Sequence, residues 1–359
     1  MEHDYLSEIR DKYDKEIMEL FIKRMEVVAE LTRRESKSED NTVYPDAETD
    51  YMDEFSHMSN VLNSLDSKCR HMNLPETAGM YDENARLEKS LVKTACYQGL
   101  PFSYSESAAK ALFGHAELMN KTTFEDVFKA VHEGAADVGI VPFENSTAGY
   151  INDVYDLILK YDLFINYTYV KKVDHCLAGI PGAEEEDIKE VHSHPQALAQ
   201  CREYIRNSGY TEVAEINTAV AAQKIAEMNI KEAACICSEE AALHYGLKIL
   251  RHQINQQKLN YTRFAAVSKK KAVEEDHNRI SFVFNVSHTT GSLSKVLSII
   301  AYYGCNLYYI NSRPNLKNPW EYMFYLDFEG NLAHKQVKCL LSQLSEEVPF
   351  MKVLGSFKV

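Results

Sequence analysis

The chain has 359 residues, 45% of them hydrophobic and 26% charged, with a formal net charge of −14. That length predicts two or three domains of soluble globular character. The acidic balance excludes general affinity for nucleic acid or anionic membrane, so an anionic ligand needs a local cluster of cations or backbone N–H donors.

In chain order, the N-terminal MEHDYLSEIRDKYDKE lacks the apolar core of a signal peptide, and no apolar run is long enough to span a bilayer. A cytoplasmic protein with no membrane partner is expected. Residues 6–34 read as one amphipathic helix, with Ile9, Tyr13, Ile17, Leu20, Val27 and Leu31 at three- and four-residue steps and Arg24 on the same seam. After the polar break SKSEDNTVYP, a second helix is expected over 46–72, followed by NLPETAGMYDENARLEK as a linker or short docking helix. Residues 1–92 therefore form an all-α unit.

The pattern changes at Thr94. Strand candidates TACYQG, DVGIVPFEN, FINYTYV, KEVHS, AACICS and FAAVSK alternate with helical stretches SESAAKALFG, FEDVFKAVHEG, PQALAQCREYIRNSG and TAVAAQKIAEMN. Such alternation predicts α/β architecture, here over 93–270. Polar clusters fall where strands end and helices begin, and helix N-termini suit carboxylate ligands. The charge-dense KKKAVEEDHN reads as a hinge. Beyond it, 278–359 gives strand, helix, two strands, helix, strand, the ferredoxin-like βαββαβ order. The eight cysteines are scattered, and Cys235-Ile-Cys237 has the wrong spacing for a zinc ribbon or a redox pair. Buried free thiols are expected, and no metal site is evident.

One stretch asks for more than this. In NYTRFAAVSK a hydroxyl and a guanidinium, Thr262 and Arg263, stand at the mouth of a buried strand. With YQGLPFSYSESAA, GIVPFENSTAGYINDVYDLI, HCLAGI, VHSHPQALAQC, NTAVAA and CSEEAALHYGL in the same order, residues 95–268 resemble the catalytic region of prephenate dehydratases. Residues 279–359 resemble the C-terminal ACT regulatory domain of those enzymes, through TGSLSKVL, NLYYINSRP, WEYMFYLDFEG and VLGSF.

The resemblance implies a catalytic region of two periplasmic-binding-protein-like lobes, and a reaction from prephenate to phenylpyruvate, water and carbon dioxide. Aromatisation drives that reaction, so it calls for no cofactor, metal or covalent nucleophile. The site must grip two carboxylates, hold the leaving hydroxyl near a donor and exclude water. By resemblance, Thr262 presents its hydroxyl to the departing oxygen, and Arg263 meets a carboxylate or braces the loop. Asn145, Ser146, Ser193, Gln200 and Thr218 match substrate-binding positions. Ser193 and Thr218 would equally serve as helix N-caps, Asn145 as a turn residue, and Glu144 and His194 as architecture.

Two departures affect pocket shape and proton path: Phe102-Ser103 replaces a Gly-Thr or Gly-Ala pair, and Gln256 replaces an acidic residue. The ACT resemblance implies phenylalanine as effector, with Gly291, Leu293, Asn306, Leu307, Ser312 and Arg313 around it and Asn311 in place of the usual glutamate. A homodimer or homotetramer is expected.

The first helix resembles that of an α-helical chorismate mutase, with Asp14 and Arg24 at matching spacing. Ser7 and Glu35 stand where basic residues are expected, and VYPDAETDYMDEF is acidic, so the basic constellation is broken and Arg24 is left as a vestige. Two alternatives stand beside the dehydratase: a bifunctional mutase–dehydratase, and a non-catalytic sensor of a small anion.

Overall fold

The computed structural model describes residues 2–36, 52–73, 87–315 and 321–359. Most of the polar break after Ser36, the start of the expected second helix at 46–51, most of the linker after Asn73, and Trp320 lie outside the described residues.

The N-terminal part is α1 (Glu2–Ser36) and α2 (Met52–Asn73). The expected seam of α1 is not its covered face. Tyr13, Ile17, Leu20 and Val27 are exposed, Met18 is buried, and Asp14, Phe21, Ile22 and Met25 are half-buried. Apolar residues at adjacent positions, Ile17 with Met18 and Leu20 with Phe21, offer two overlapping stripes, and spacing alone does not choose between them.

Besides meeting α1, α2 lies on the C-terminal unit. Gln343 Nε2 donates to the Ser64 carbonyl at 3.1 Å, and His71 Nε2 lies 3.1 Å from Glu346.

The central region builds two sheets. β1 (Thr94–Gln98), α3 (Tyr104–Phe113), β2 (Glu117–Lys121), α4 (Phe124–Glu133) and β3 (Val138–Asn145) form parallel crossovers, with β1 between β2 and β3. α4 opens on a Thr123–Asp126 capping box and closes on Gly134 at φ +81°. The short β4 (Gly149–Tyr150), α5 (Asn152–Tyr161) and β5 (Phe164–Lys172) complete the outward path.

The chain then crosses to a second sheet: β6 (Cys176–Gly179), β7 (Glu190–Ser193), α6 (Pro195–Gln200), α7 (Arg202–Ser208), β8 (Thr211–Ala214), α8 (Thr218–Met228), β9 (Ala233–Cys237), α9 (Glu239–His244) and β10 (Lys248–Arg251). Its order is β10-β6-β9-β7-β8. The single helix expected over PQALAQCREYIRNSG breaks at Cys201, whose φ of −111° and ψ of 11° leave the helical region. β11 (Tyr261–Ser268) returns to the first sheet between β3 and β5, antiparallel to both. Two lobes therefore share two crossing segments, 172–176 and 251–261.

The C-terminal unit is β12 (Arg279–Asn285), α10 (Ser292–Tyr302), β13 (Leu307–Pro314), β14 (Tyr322–Glu329), α11 (Lys335–Glu347) and β15 (Phe350–Phe357). Its strand order, β13-β14-β12-β15, is that of the expected βαββαβ arrangement. It is not hinged away from the first lobe. β15 joins β5 in parallel at Gly355 and Ile165, giving one sheet of ten strands among the described residues.

A Cβ at 355 would overlap the Ile165 carbonyl oxygen, so glycine permits that join. Tyr325, Leu354 and Phe357 share a core with Phe143, Tyr155 and Ile158. The expected hinge is tied down by Asn331, whose Nδ2 donates to the carbonyls of Glu274, Glu275 and His277 at 2.9, 3.2 and 2.9 Å.

Candidate active site

The pairing of β11 with β3 sets Thr262 opposite Asn145 and Arg263 opposite Glu144. Thr262 thus lies within the strand rather than in a loop before it. It is 9% exposed and Asn145 5%, so their polar atoms have little access to water.

Asn145 Oδ1 accepts from the backbone N–H groups of Thr147 and Ala148, both at 3.0 Å. Those two fixed donors decide which way the amide faces. Its Nδ2 must then donate, and it reaches Thr262 Oγ1 and Asn260 Oδ1, each at 2.9 Å, and the Tyr261 carbonyl at 3.2 Å. Thr262 accepts this bond and keeps its own O–H proton for another acceptor.

The chain of amides continues into the second lobe. Asn260 Oδ1 also accepts from Thr147 Oγ1 at 3.2 Å, and Asn260 Nδ2 donates to Gln200 Oε1 at 3.1 Å. His175 Nε2 meets the same Gln200 oxygen at 3.1 Å. Burial lowers the His175 pKa to about 4, so the ring is neutral at physiological pH.

Further contacts join the lobes. Lys171, beside Thr262 on β5, pairs with Glu240 on α9 at 2.9 Å. Phe102 stacks on His244 of α9 with ring centroids 3.5 Å apart. Phe102 has φ +67°, a left-handed conformation that costs a non-glycine residue about 1 kcal/mol, and this is the position where the resembled family carries glycine.

Other expected positions fare differently. Arg263 serves as a brace: Nη1 lies 2.8 Å from Glu144 Oε2, an ion pair whose N–H is not aimed at the oxygen, and the pair holds β3 against β11. Ser146 is exposed, and its hydroxyl accepts from the Tyr261 N–H at 2.9 Å and donates to the Leu259 carbonyl at 3.3 Å. Ser193 is fully buried and donates to the Ile236 carbonyl at 2.6 Å, so its hydroxyl does not cap α6. His194 is that cap, accepting from the Gln196 N–H. Thr218 is the first residue of α8, half-buried, and Asn217 is the cap before it. Gln256 donates its backbone N–H to the Gln200 carbonyl at 3.0 Å.

Asn260 and His175 lie inside the motifs NYTRF and HCLAGI, and neither was among the expected site residues. For His175 the available signal was a polar residue directly before a buried run; Asn260 is followed by the exposed Tyr261 and had none. A cavity of about 220 Å³ bounded by Val92, Val131, Gly134, Asp137 and Ser268 lies at the far end of β11 from Thr262 and is no part of this cluster.

Residues 95–272 match the family model described as prephenate dehydratase. The chain is 35% identical to arogenate dehydratase/prephenate dehydratase 1 of Arabidopsis thaliana, over 73% of its own length and 71% of the relative's. The chain belongs to the prephenate dehydratase family. A bifunctional chorismate mutase/prephenate dehydratase of Buchnera aphidicola is 30% identical over 98% of this chain and 95% of that protein.

Among solved structures, a prephenate dehydratase from Arthrobacter aurescens in complex with L-Phe is similar with a TM-score of 0.69 and 28% identity, covering 74% of this chain and 90% of that one. GqqA, described as a novel type of quorum quenching acylase, is similar with a TM-score of 0.67 and 31% identity, covering 74% and 98%. Membership thus fixes the family, and the chemistry has to be argued from the site.

Within the C-terminal unit the expected effector residues are divided. Gly291 caps α10 at φ +81°, and Leu293 packs against the core of that unit. Asn306 and Leu307 open β13 whereas Ser312 and Arg313 close it, roughly 20 Å away along an extended strand. Ser312 is exposed. Arg313 Nη1 donates to the Asn152 carbonyl at 2.9 Å and pairs with Asp156 at 2.6 Å, so it holds α5 of the first lobe. Arg24 is exposed on α1.

Proposed function

We propose that the chain converts prephenate to phenylpyruvate at the lobe junction, with Thr262 as the group that protonates the leaving oxygen. The observation that carries this is the hydrogen bond from Asn145 to Thr262, because it leaves the threonine proton free while placing an N–H against the oxygen that would lose it.

In the reaction the ring carboxylate departs as carbon dioxide and its bonding electrons enter the ring. The hydroxyl across the ring leaves as water with the Thr262 proton, and solvent restores that proton. The dianion and one proton give a monoanion, carbon dioxide and water. A threonine is a weak acid, so its contribution rests on a pre-placed, desolvated donor and on Asn145 holding the developing charge. The Gln200 amide and the N-terminus of α8 at Thr218 supply neutral donors for the carboxylates, and Lys171 a cation.

An acylase reading is less well served by this geometry. Amide hydrolysis through Thr262 needs a base to take its proton, and the neighbour observed is an amide that donates to it.

We read 93–270 as the dehydratase domain, 278–359 as an ACT sensor, and 1–92 as a degenerate mutase-like unit, in a cytoplasmic homodimer or homotetramer. The L-Phe complex among the neighbours supports phenylalanine as effector. The test is absorbance of phenylpyruvate on mixing the full chain with prephenate, and in parallel arms arogenate and chorismate. Prephenate turnover that is lost in Thr262→Ala, with substrate still bound, supports the reading. Binding without turnover in the wild type favours a small-anion sensor.

A further inference from the structure

We infer that His175 is a positioning residue for this reaction: its Nε2–H anchors the Gln200 side-chain oxygen, so that the Gln200 amide N–H groups and the Thr262 hydroxyl both remain as donors to the ligand. The inference rests on the dehydratase reading of the junction.

The direction of every bond follows from the backbone. Two main-chain N–H groups hold Asn145 Oδ1. Asn145 must therefore donate to Asn260 Oδ1, which turns Asn260 Nδ2 toward Gln200. Gln200 consequently presents oxygen, not nitrogen, to this pair. The atom of His175 that meets that oxygen must carry a proton, and this selects the Nε2–H tautomer. The polar chain thus ends on histidine in one sense only.

The cost of using histidine here argues that the proton matters. His175 is almost wholly buried, and its Nδ1 has no hydrogen-bond partner among the described residues. A bare buried acceptor is unfavourable, and phenylalanine of similar shape would avoid it. Tyr104 packs edge-on against the ring at 6.0 Å and donates its hydroxyl to the Asp174 carbonyl at 2.8 Å, while Asn255 Oδ1 accepts the His175 backbone N–H at 2.7 Å. The ring is thus held from several sides at the crossing segment between the lobes. What histidine adds over an apolar ring is the second donor on Gln200. With Asn260 alone, the amide has one anchor and can rotate its N–H groups away from the ligand.

The variants follow from shape. Glutamine places an N–H where Nε2 stands; phenylalanine fills the space and donates nothing. For the full chain with prephenate, His175→Phe is expected to lower kcat by 30-fold or more while its thermal midpoint stays near that of the wild type, and His175→Gln is expected to recover to within about fivefold. Wild-type kcat in His175→Phe overturns the inference, and so does equal loss in both variants.

A second readout is independent of turnover. In ¹⁵N-histidine spectra His175 should show the neutral Nε2–H pattern from pH 8 down to pH 5. An Nδ1–H pattern, or titration near pH 6.5, overturns the inference. If the wild type shows no prephenate turnover, the dehydratase reading fails, and the spectrum still decides how the polar chain is directed.

Discussion

Along α1, Tyr13, Ile17, Leu20 and Val27 face solvent beside Arg24, whereas at the lobe junction Thr262, Asn145, Asn260 and His175 are buried with their hydrogen bonds directed at one another. A buried donor or acceptor left unmatched costs about 1–3 kcal/mol, so each junction residue constrains the next. Nothing comparable constrains a charge on an exposed helix face. Substitutions at the junction should therefore alter chemistry, and those on α1 should not.

The sharpest test of that contrast is Thr262→Ala. It removes the donor but not the surrounding frame, so kcat should fall by about a thousandfold with substrate affinity little changed. Thr262→Ser keeps the hydroxyl and should stay within about tenfold. Steady-state kinetics with prephenate decide it, and a large rise in KM with unchanged kcat would assign Thr262 to binding instead.

Next in size is the join between the C-terminal sheet and the first lobe. Gly355→Ala puts a methyl group against the Ile165 carbonyl. Separation of β15 from β5 should lower stability by about 3 kcal/mol in urea unfolding. Unchanged stability would mean that the ten-stranded sheet is not continuous in solution.

How much of this was legible beforehand depends on what each signal measures. Six strands of the central region, those of TACYQG and FAAVSK among them, announced themselves as apolar runs, because burial leaves few polar residues in them. By contrast β2, β8 and β10, with exposed polar positions, and the short β4 and β6 gave no such signal. Pairing of Thr262 with Asn145 was not in any local pattern. The resemblance placed the two in one site, but their hydrogen bond, across 117 residues of sequence, is seen only in the structure. Ser193 was expected to bind substrate or else to cap α6; a serine before His-Pro suits an N-cap, but the cap moved one residue on to His194 and left Ser193 inside the sheet. The fusion of the C-terminal unit to β5 had no sequence signal beyond one glycine.

A third prediction follows from Asp327, fully buried on β14 between Tyr150, whose hydroxyl donates at 3.0 Å, and Tyr155. Burial raises its pKa to about 6, against 3.8 for the exposed group, and the nearby Ser281 hydroxyl, the bond from Tyr150 and the charge of Arg279 only partly offset this, while Glu144 adds to it. The folded state therefore holds a proton that the unfolded state releases. Its contribution is full below pH 3.8 and is lost as pH rises through 6. Asp327→Asn removes this term, so its stability relative to the wild type should improve by about 2 kcal/mol between pH 4.5 and pH 8. Parallel unfolding curves at the two pH values would show that Asp327 titrates normally.

Smaller still is the effect expected at Arg313. Its ion pair with Asp156 ties β13 to α5, which follows the Asn145 turn by a few residues. Arg313→Ala should leave prephenate kinetics near wild type and weaken inhibition by phenylalanine about tenfold, within the usual range of coupling between sites. If the inhibition curve is superimposable on that of the wild type, the contact is only a brace.

The smallest effect completes the contrast. Arg24 stands on a helix whose neighbouring apolar residues, Leu20 and Val27, are exposed, and among the described residues nothing frames it as the junction frames Thr262. Holding chorismate in a compact, doubly charged conformer requires several fixed donors around one pocket. A single exposed guanidinium beside acidic neighbours supplies too little. Arg24→Ala should leave prephenate turnover within twofold of wild type, and chorismate consumption should be near background in both proteins. A clear loss of chorismate turnover in the variant would show that a second copy of the chain completes a working site around this arginine.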